Sequence, residues 1–418
     1  MKKSLFIIVF AMAACSLQGQ QFLPEYVQYD TVKKMTLRTA AHFNYQTSTI
    51  PNYFLNYFLN GGTISQGDKD NVSAGLKNTN SIGTEQFFSV RFTDFSGHPF
   101  KDSTLGYYLN VEHQDHIAAN FNKTLFDLVF YGNGPYAGQT LNLANANFAR
   151  YTFQKFGFGI TEVTSGSSFG ISVVKGQSFA TMNLTKGNFL TDDSTANISF
   201  EYAADISRSD TLKTKLDAFN GVGMSIDLNW NFKLGRDTVL PDLLNFQLQV
   251  HNAGFIVWNQ STLNYTADSV AQYNGFEVNN VLRPEEGLIT GNTDLKDTLN
   301  IRYEKKKRQS LLPADFLLGN YVNPLKGYWL KPLYGVRYKL MEGYKFMPYA
   351  GASIRVTKKS FLQVTGSYGG FGGFRAGVRY QAQLGKKMHV VIGSSHVDGL
   401  YSPNGFGKDG YAALWFRF

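Results

Sequence analysis

The chain contains many segments of about ten residues in which apolar and polar side chains alternate. In the clearest, residues 222–232, valine, methionine, isoleucine, leucine, tryptophan and phenylalanine alternate with glycine, serine, aspartate and asparagine. Successive side chains of a strand point to opposite faces, so each segment would have one apolar and one polar face. Strands of about ten residues, tilted by about 45°, cross roughly 23 Å of hydrocarbon. The pattern therefore predicts an all-β transmembrane antiparallel β-barrel.

The alternating segments predict about fourteen strands, with helical and loop insertions between them. A soluble β-sandwich also alternates, but its strands average about five to six residues. A closed barrel leaves no unpaired edge in lipid, where each orphan amide costs several kcal/mol. The predicted strands lie near residues 36–44, 83–95, 104–113, 147–160, 166–176, 196–206, 220–232, 244–254, 328–340, 345–356, 360–369, 373–384, 387–396 and 409–418.

The last predicted strand has one wholly apolar face, formed by Ala412, Leu414, Phe416 and Phe418, while Arg417 lies on the other. This strand resembles the C-terminal signal of bacterial outer-membrane barrels, with Leu414, Phe416 and Phe418 as the recognised residues. The resemblance implies that the last strand closes the barrel and that the barrel-assembly machinery binds it.

Residues 1–20 match a secretory signal peptide, because Lys2 and Lys3 precede a short apolar run. A second interpretation stays open, in which Cys15 lies in a degenerate lipobox and becomes lipidated. Cys15 is the only cysteine, so an internal disulfide is excluded. We expect residues 21–418 to form one barrel domain.

Composition supports an exported barrel. After the signal there is no apolar run of about twenty residues, which a membrane-spanning helix needs. Aromatic residues make up 15% of the chain, as expected for the aromatic girdles of a barrel. The net charge of +9 is dispersed along the sequence. Dispersed cations favour contact with anionic outer-membrane lipid over nucleic-acid binding.

The connections between strands are uneven in length. Short connections at residues 161–166, 357–360 and 384–388 predict turns. The longest insertion, 260–327, is predicted to plug or cap the barrel, and a count of strands places it on the periplasmic side unless the count is wrong by one. Pro313–Leu318 within it and His116–Phe130 elsewhere are interpreted as helical. The charged run Lys305–Arg308 is expected to be a solvated loop, with a docking patch for lipid or an acidic partner as the alternative.

In one predicted strand the apolar residues change from odd to even positions. Tyr151 and Phe153 are at odd positions, and the apolar residues after them are at even ones: Phe156, Phe158 and Ile160. A bulge near Lys155 would swap the two faces of this strand.

A wider resemblance rests on three short segments that contain glycine and aromatic residues. They are Gly132–Gly138, Gly221–Asp227 and His251–Asn259. Together with Phe418, they resemble an uncharacterised family of Bacteroidota outer-membrane β-barrels, itself similar to the FadL-like and PorV-like barrels. The resemblance covers nearly all of the mature chain and implies outer-membrane residence and about fourteen strands. It implies no catalytic residues.

Three motifs that could carry chemistry favour a structural interpretation instead. Gly166–Gly170 fits G-x-S-x-G, but Ser168 would lie on a turn entering a strand, outside the strand–turn–helix context that the motif needs. His113 and His116, with Glu112 or Asp115, could bind a metal on a helix. In a strand the two imidazoles would point to opposite faces. The glycine-rich segment 369–373 favours a tight hairpin or close strand packing over a phosphate cradle. We therefore predict a non-enzymatic protein without catalytic, metal or cofactor sites.

Four charged residues are candidates for lining the lumen: Arg375, Arg379, Asp227 and Glu201. The arginines share one parity and could line an anion-preferring pore, or pair with Asp227 or Glu201 and serve structure alone. Two functions are predicted: passage of small or hydrophobic solutes across the outer membrane, or an accessory or scaffold role in an outer-membrane secretion or assembly machine with a protein partner.

Overall fold

The computed structural model describes residues 35–193, 197–210, 212–235, 244–273 and 304–418. The predicted signal peptide and Cys15 lie outside these residues. The strands of the described chain join into one sheet. They are β1 (Met35–Thr47), β2 (Asn80–Asp94), β3 (Leu105–Phe121), β4 (Thr140–Asn142), β5 (Ala146–Glu162), β6 (Ser168–Thr191), β7 (Ile198–Arg208), β8 (Gly221–Lys233), β9 (Asn245–Trp258), β10 (Leu263–Tyr273), β11 (Glu304–Lys305), β12 (Arg308–Leu311), β13 (Asp315–Asn320), β14 (Leu330–Lys339), β15 (Met347–Thr357), β16 (Ser360–Tyr368), β17 (Phe374–Leu384), β18 (Met388–Ser394) and β19 (Gly407–Arg417).

The sheet closes on itself because β1 pairs with β2 along one edge and with β19 along the other. The wall is an antiparallel ring of fourteen strands, with β12 and β13 together forming one of them. Its order is β1, β2, β3, β5, β6, β8, β9, β12/β13, β14, β15, β16, β17, β18 and β19. Closure satisfies the backbone groups that an open sheet would leave unpaired. The predicted closed barrel of about fourteen strands is confirmed.

The outer face of the wall is apolar. Phe156 and Phe158 of β5, Ile171 and Val173 of β6, and Met224 of β8 are all exposed, and pairing places them side by side. A contiguous apolar patch of this kind is unusual for a soluble surface. On β19, the even-numbered apolar residues belong to this outer face and the odd-numbered face is turned inward, as the alternation predicts.

The predicted number of strands is right because two errors compensate. Residues 196–206 are predicted as a wall strand, but β7 lies outside the ring. The long strand β6 pairs with β8 through Gly176 and with β7 from Ala180 onward. Strands β4, β7, β10 and β11 therefore form a sheet extension beyond the barrel.

The second error concerns Pro313–Leu318, which is predicted as a helix. Residues 315–320 instead form β13, and β12 precedes it on the same neighbour, β9. Strands β12 and β13 together thus form the fourteenth strand of the wall, in place of β7. Within the predicted insertion 260–327, residues 260–273 and 304–327 thus contribute strands, and 274–303 lie outside the described residues.

The two ends of the barrel differ. We call the end where β1 begins and β19 ends the near end, and the opposite one the far end. At the near end, residues 163–167, 358–359 and 385–387 are short turns, as predicted. Only seven wall strands precede the long insertion, so it leaves the wall at the far end. The strand count had placed the insertion at the same end as the start of β1, and this is wrong because β7 lies outside the wall; the membrane side stays a prediction.

The far end carries the helices α1 (Asn52–Asn60), α2 (Gln66–Gly75), α3 (Lys123–Tyr131) and α4 (Val397–Tyr401). Helical spacing had been predicted to begin at His116, but β3 continues to Phe121 and α3 follows it. A helix long and apolar enough to cross a membrane does not occur within the described ranges.

The irregular strand β5 contains no bulge at Lys155. Its pairing with β3 is continuous from Glu162 to Asn147. Phe153 and Lys155 both point inward, and both are buried. The bulge lies in the neighbouring strand β6, where Phe153 pairs with Gly176 and Thr152 with Ser178. The predicted bulge is wrong because apolar residues occupy the inner face as well as the outer one.

Candidate functional site

Charged side chains meet inside the barrel at mid-height. Lys155 of β5 is 0% exposed, and its ammonium donates to Asp227 Oδ1 of β8 at 2.8 Å. The same ammonium lies 3.4 Å from Glu112 Oε2 of β3. His251 Nε2 of β9 lies 3.2 Å from that carboxylate. We call these four residues, together with Asn252, the Lys155 cluster. A buried charge is tolerated when it is paired in this way.

A bulge in β9 builds part of the Lys155 cluster. The β8–β9 register shifts between Ile226 and Leu228, and Asn252 adopts a left-handed conformation with φ of 60°. Asparagine is one of the few residue types that adopt this conformation readily. The bulge lets the Asn252 amide nitrogen donate to Asp227 Oδ1 at 2.9 Å, while Asn252 Oδ1 accepts from Lys155 at 2.8 Å.

The Lys155 cluster reaches across several strands of the ring. Asn252 Nδ2 donates to Gln114 Oε1 at 2.8 Å, and Gln114 Nε2 donates to Asn252 Oδ1 at 3.1 Å. Four strand positions of the wall separate β9 from β3. An apolar layer lies beyond this cluster toward the far end. Its buried members are Phe153, Val174, Phe179, Ile256, Trp258 and Leu312.

A second buried group, the Lys339 cluster, spans the full width of the lumen. It consists of Lys339 and Arg337 of β14, Asp315 of β13 and Glu85 of β2. Lys339 contacts Glu85 directly and lies 3.6 Å from Asp315 Oδ2. Arg337 Nε donates to Asp315 Oδ1 at 2.9 Å. Strands β2 and β14 are seven positions apart in the ring of fourteen, so this contact joins opposite walls.

The contact between Lys339 and Glu85 requires an oval cross-section. A circular barrel of fourteen strands spaced by about 4.8 Å and tilted by about 40° has a diameter of roughly 28 Å. Lysine and glutamate side chains meeting end to end bridge only about 15 Å between backbones. The wall is therefore flattened where β2 faces β14.

Two far-end turns fold into the lumen and add to the closure. Residues 340–346 and 369–373 meet where Tyr344 and Phe371 pack edge to face, with ring centroids 5.1 Å apart. Both contact Ala118 of β3. The Phe371 ring lies so close to Gly83 of β2 that a Cβ there would come within 2.1 Å of it. Glycine at position 83 thus makes room for a turn from strands four and five positions away in the ring. The predicted hairpin at 369–373 is confirmed.

The structure places the four predicted lumen residues differently. Asp227 belongs to the Lys155 cluster. Arg375 and Arg379 are buried on the inner face of β17, where Arg375 donates to the Gly369 carbonyl at 3.1 Å and Arg379 to Gln363 Oε1 at 2.7 Å. Glu201 lies on β7, outside the wall, and pairs with Lys186 at 2.7 Å. The expectation for Glu201 does not hold because β7 belongs to the extension.

The predicted chemical motifs remain dispersed. His113 and His116 lie on opposite faces of β3, with His113 Nδ1 accepting from Gln154 Nε2 at 2.9 Å and His116 buried in the lumen. In the part of the chain that the structure describes, no three His, Cys, Asp or Glu side chains are grouped to hold a metal. Ser168 begins β6 directly after a turn.

Sequence reasoning missed Lys155, Lys339 and Glu85. A signal existed for Lys339, since Lys339 and Arg337 share one parity of a strand whose other parity is apolar. Lys155 was obscured by the assumed bulge. No sequence pattern connects Glu85 with Lys339, because 254 positions separate them.

The three long far-end helices form a cap with an aromatic core, in which Phe54 and Phe58 of α1 pack with Phe126 and Phe130 of α3. Ser65 caps α2 by accepting from the Asp68 amide nitrogen at 3.1 Å. Hydrogen bonds from Ser65 and Tyr57 lower the pKa of the Asp68 carboxyl. Burial and a bond to Asp70 raise the pKa of the Tyr131 phenol to about 12. The cap is thus held by both packing and charge-assisted bonds.

Solved structures with similar architecture are distant. The translocator domain of autotransporter NalP from Neisseria meningitidis is 7% identical, with a TM-score of 0.32, over 92% of this chain and 89% of that one. The P. putida toluene transporter TodX is 7% identical, with a TM-score of 0.30, over 95% and 91%. The transport unit of the autotransporter AIDA-I from Escherichia coli is 7% identical, with a TM-score of 0.27, over 98% and 97%. These values are too low to carry an argument, so the barrel assignment rests on the strand pairing above.

Curated proteins gave no match to the sequence. One family model, described as a family of unknown function (DUF5723), matches residues 37–395, from the first wall strand to just past β18. The match spans the residues of both lumen clusters and most of the chain. The chain therefore belongs to the DUF5723 family.

Proposed function

We propose that this chain is an integral outer-membrane β-barrel with a closed lumen, and that it acts as a non-enzymatic accessory or scaffold subunit for a protein partner in that membrane. The membrane location is supported by the apolar outer face, which would be costly in water. Closure of the sheet supports it too, because lipid cannot satisfy an open strand edge. The apolar face of β19, with Leu414, Phe416 and Phe418, is suited to binding the barrel-assembly machinery.

The observation that carries the scaffold role is the contact of Lys339 with Glu85 across the lumen. Side chains from opposite walls meet at the far end of β14, and the inward turns 340–346 and 369–373 close the same end of the lumen. A barrel blocked at these levels would be a poor route for free diffusion. Its far-end cap and sheet extension offer a large surface to a partner instead.

Conductance in planar bilayers tests the closure. The refolded protein should give no steady stepped current, and the double variant Glu85→Ala/Lys339→Ala should conduct more than the wild type. The matched control is Lys186→Ala/Glu201→Ala, which removes an exposed pair of the same types from the extension and should leave the current unchanged. A steady current through the wild-type barrel would contradict the closed lumen.

Purification tests the scaffold role itself. Extraction from native membranes in gentle detergent, followed by mass spectrometry, should recover a second protein in fixed stoichiometry. Recovery of the barrel alone at every detergent concentration would count against this role.

Passage of small or hydrophobic solutes remains a second candidate, favoured by one observation. His251 and Asp227 keep 24% and 17% of their side chains exposed within the otherwise buried Lys155 cluster. Solvent thus reaches the Lys155 cluster. A solute on the same route would contact these charged side chains, and it could pass if their ion pairs separate. Uptake of solutes into vesicles containing the wild-type barrel, abolished by crosslinking position 85 to position 339, would favour passage over the scaffold role.

A further inference from the structure

An external strap, residues 209–210 and 212–220, lies against the outside of the wall near the far end. Its first residue, Ser209, donates its amide to the Phe179 carbonyl of β6 at 3.0 Å, and its last, Asn220, donates to the Gly176 carbonyl at 2.9 Å. Both ends are therefore fixed to the same strand, at the point where β6 leaves the barrel. Thr211 lies outside the described residues.

The middle of the strap is held by two polar side chains on the outer face of β6. Lys175 donates to the Leu216 carbonyl at 2.9 Å, and Gln177 Nε2 donates to the Thr214 carbonyl at 2.8 Å. Gln154 of β5 in turn donates to Gln177 Oε1 at 2.6 Å. The strap backbone thus satisfies polar groups of the outer wall, which lipid cannot do.

The apolar side chains of the strap point away from the protein. Leu212 is 92% exposed, Leu216 65% and Phe219 61%, although Ala218 between them is buried. Single exposed leucines are normal on soluble surfaces, but three large apolar residues within eight positions form a patch. Lys213 and Lys215 lie between them in sequence and are also exposed. Apolar residues interleaved with lysines are typical of segments that lie in a membrane interface.

The strap directly adjoins the apolar outer face of the wall. Lys175 follows Val173 at the next outward position of β6, and Val173 pairs with Met224 within the apolar face. Two residues of a strand span about 6.6 Å. The strap therefore begins where the apolar face ends and continues it toward the far end.

We infer that the strap is an interfacial anchor, whose Leu212, Leu216 and Phe219 insert among the lipid chains of the leaflet at the far end. The occupant of this patch is lipid, because the patch is continuous with the face that lipid covers. Lys213 and Lys215 then lie at the level of the anionic head groups. The inference rests on the proposed membrane location, and one experiment separates the two.

Depth-dependent fluorescence quenching is that experiment. In a Cys15→Ser background, an environment-sensitive NBD label is attached to Leu212→Cys, Leu216→Cys, Val173→Cys or Leu59→Cys, one at a time. The proteins are refolded into phosphatidylcholine vesicles, and heat-modifiable migration selects the folded ones. Doxyl groups at the 5- or 12-position of the lipid chain quench from shallow or deep levels, and iodide quenches from water.

Labels at 212 and 216 should be quenched most by the shallow doxyl group and little by iodide. The label at 173 should be quenched by both doxyl groups. Leu59, which is 60% exposed at the end of α1 in the cap, is the control matched in exposure and should respond to iodide alone. Iodide quenching at 212 and 216 equal to that at 59, with doxyl quenching retained at 173, would overturn the anchor and leave the membrane location intact. Loss of doxyl quenching at 173 as well would overturn both.

The triple variant Leu212→Ser/Leu216→Ser/Phe219→Ser gives a second measurement. With the label moved to Val222→Cys, which pairs with Lys175 at the base of the strap and is exposed, the variant should show stronger iodide quenching than the parent with an intact strap. Equal iodide quenching in the two would contradict insertion of these side chains.

Discussion

The two faces of the barrel wall achieve stability in different ways. Val173, on the outer face of β6, is apolar and is stable in any apolar environment without a specific partner. Lys155, on the inner face of the adjacent strand, is stable only because carboxylates from β3 and β8 reach it. On the outer face, each side chain is therefore stable by its own hydrophobicity. On the inner face, a charged side chain is stable only when its partners on other strands are present. Substitutions on the two faces should differ in size and in their dependence on lipid.

The largest effect is expected inside the lumen. Lys155→Ala leaves Glu112 and Asp227 buried close together without their ammonium partner, which should lower the free energy of unfolding by about 3–5 kcal/mol. Urea titration of the refolded barrel in vesicles measures it. Lys186→Ala is the control, because its pair with Glu201 is exposed and such pairs contribute about 0–1 kcal/mol. Equal losses for the two variants would show that the inner pairs do not matter more than surface ones.

A charge on the outer face should cost less and should depend on lipid. Ile171→Arg in the middle of the apolar face should lower the free energy of unfolding in bilayers by about 2–4 kcal/mol. Ile171→Val, which keeps the residue apolar, is the matched control. If Ile171→Arg were as stable as the wild type in vesicles, lipid would not cover this face.

The inward turn at 369–373 should respond to crowding. Gly83→Ala places a Cβ against the Phe371 ring and should cost about 1–3 kcal/mol. In a Phe371→Ala background the same substitution should cost clearly less, because the ring that it meets is gone. Additive losses in the double variant would mean that the two residues do not touch.

The smallest effect concerns the cap and is dependent on pH. The folded-state pKa of Asp68 is lowered, so its contribution to stability is present above the ordinary carboxyl pKa and is lost as pH falls through the folded value. Ser65→Ala removes the hydrogen bond that lowers this pKa most and the helix cap, which is worth about 1 kcal/mol. Hydrogen exchange of the α2 amides should be faster in this variant than in the wild type at neutral pH, and the difference should shrink as pH falls through the lowered pKa of Asp68, leaving only the contribution of the helix cap. A constant difference between pH 7 and pH 3 would show that Asp68 does not contribute.

Sequence alone predicted the outer face and the closed ring well, because alternation is a local property of each strand. It could not distinguish the wall from the extension, since β7 alternates as a wall strand does, with Tyr202 packed against Tyr265 on one side. It missed β13 because Pro313 and the apolar residues after Asp315 fit the start of a helix equally well. The pairing with β9 and β14 decides between these possibilities, and β9 is distant in sequence.

The candidate site was accessible to sequence reasoning only in part. Asp227, Arg375 and Arg379 have the parity of inner-face residues, which a single strand reveals. The partners of Asp227 are set by the bulge at Asn252, and the contact of Lys339 with Glu85 is set by the flattening of the barrel, which depends on the whole ring. The parity of a residue says which way it points, but the distance across the lumen determines what it reaches.

The pair formed by Glu85 and Lys339 has a consequence for the order of assembly. Its members are separated by 254 positions, so the Glu85 carboxylate does not meet the Lys339 ammonium until β14 has joined the ring. Until β14 is in place, water has to solvate the Glu85 carboxylate in place of Lys339. The cross-lumen contact would thus be among the last to form, and a truncated chain ending before β14 should retain a wetter, more easily extracted intermediate.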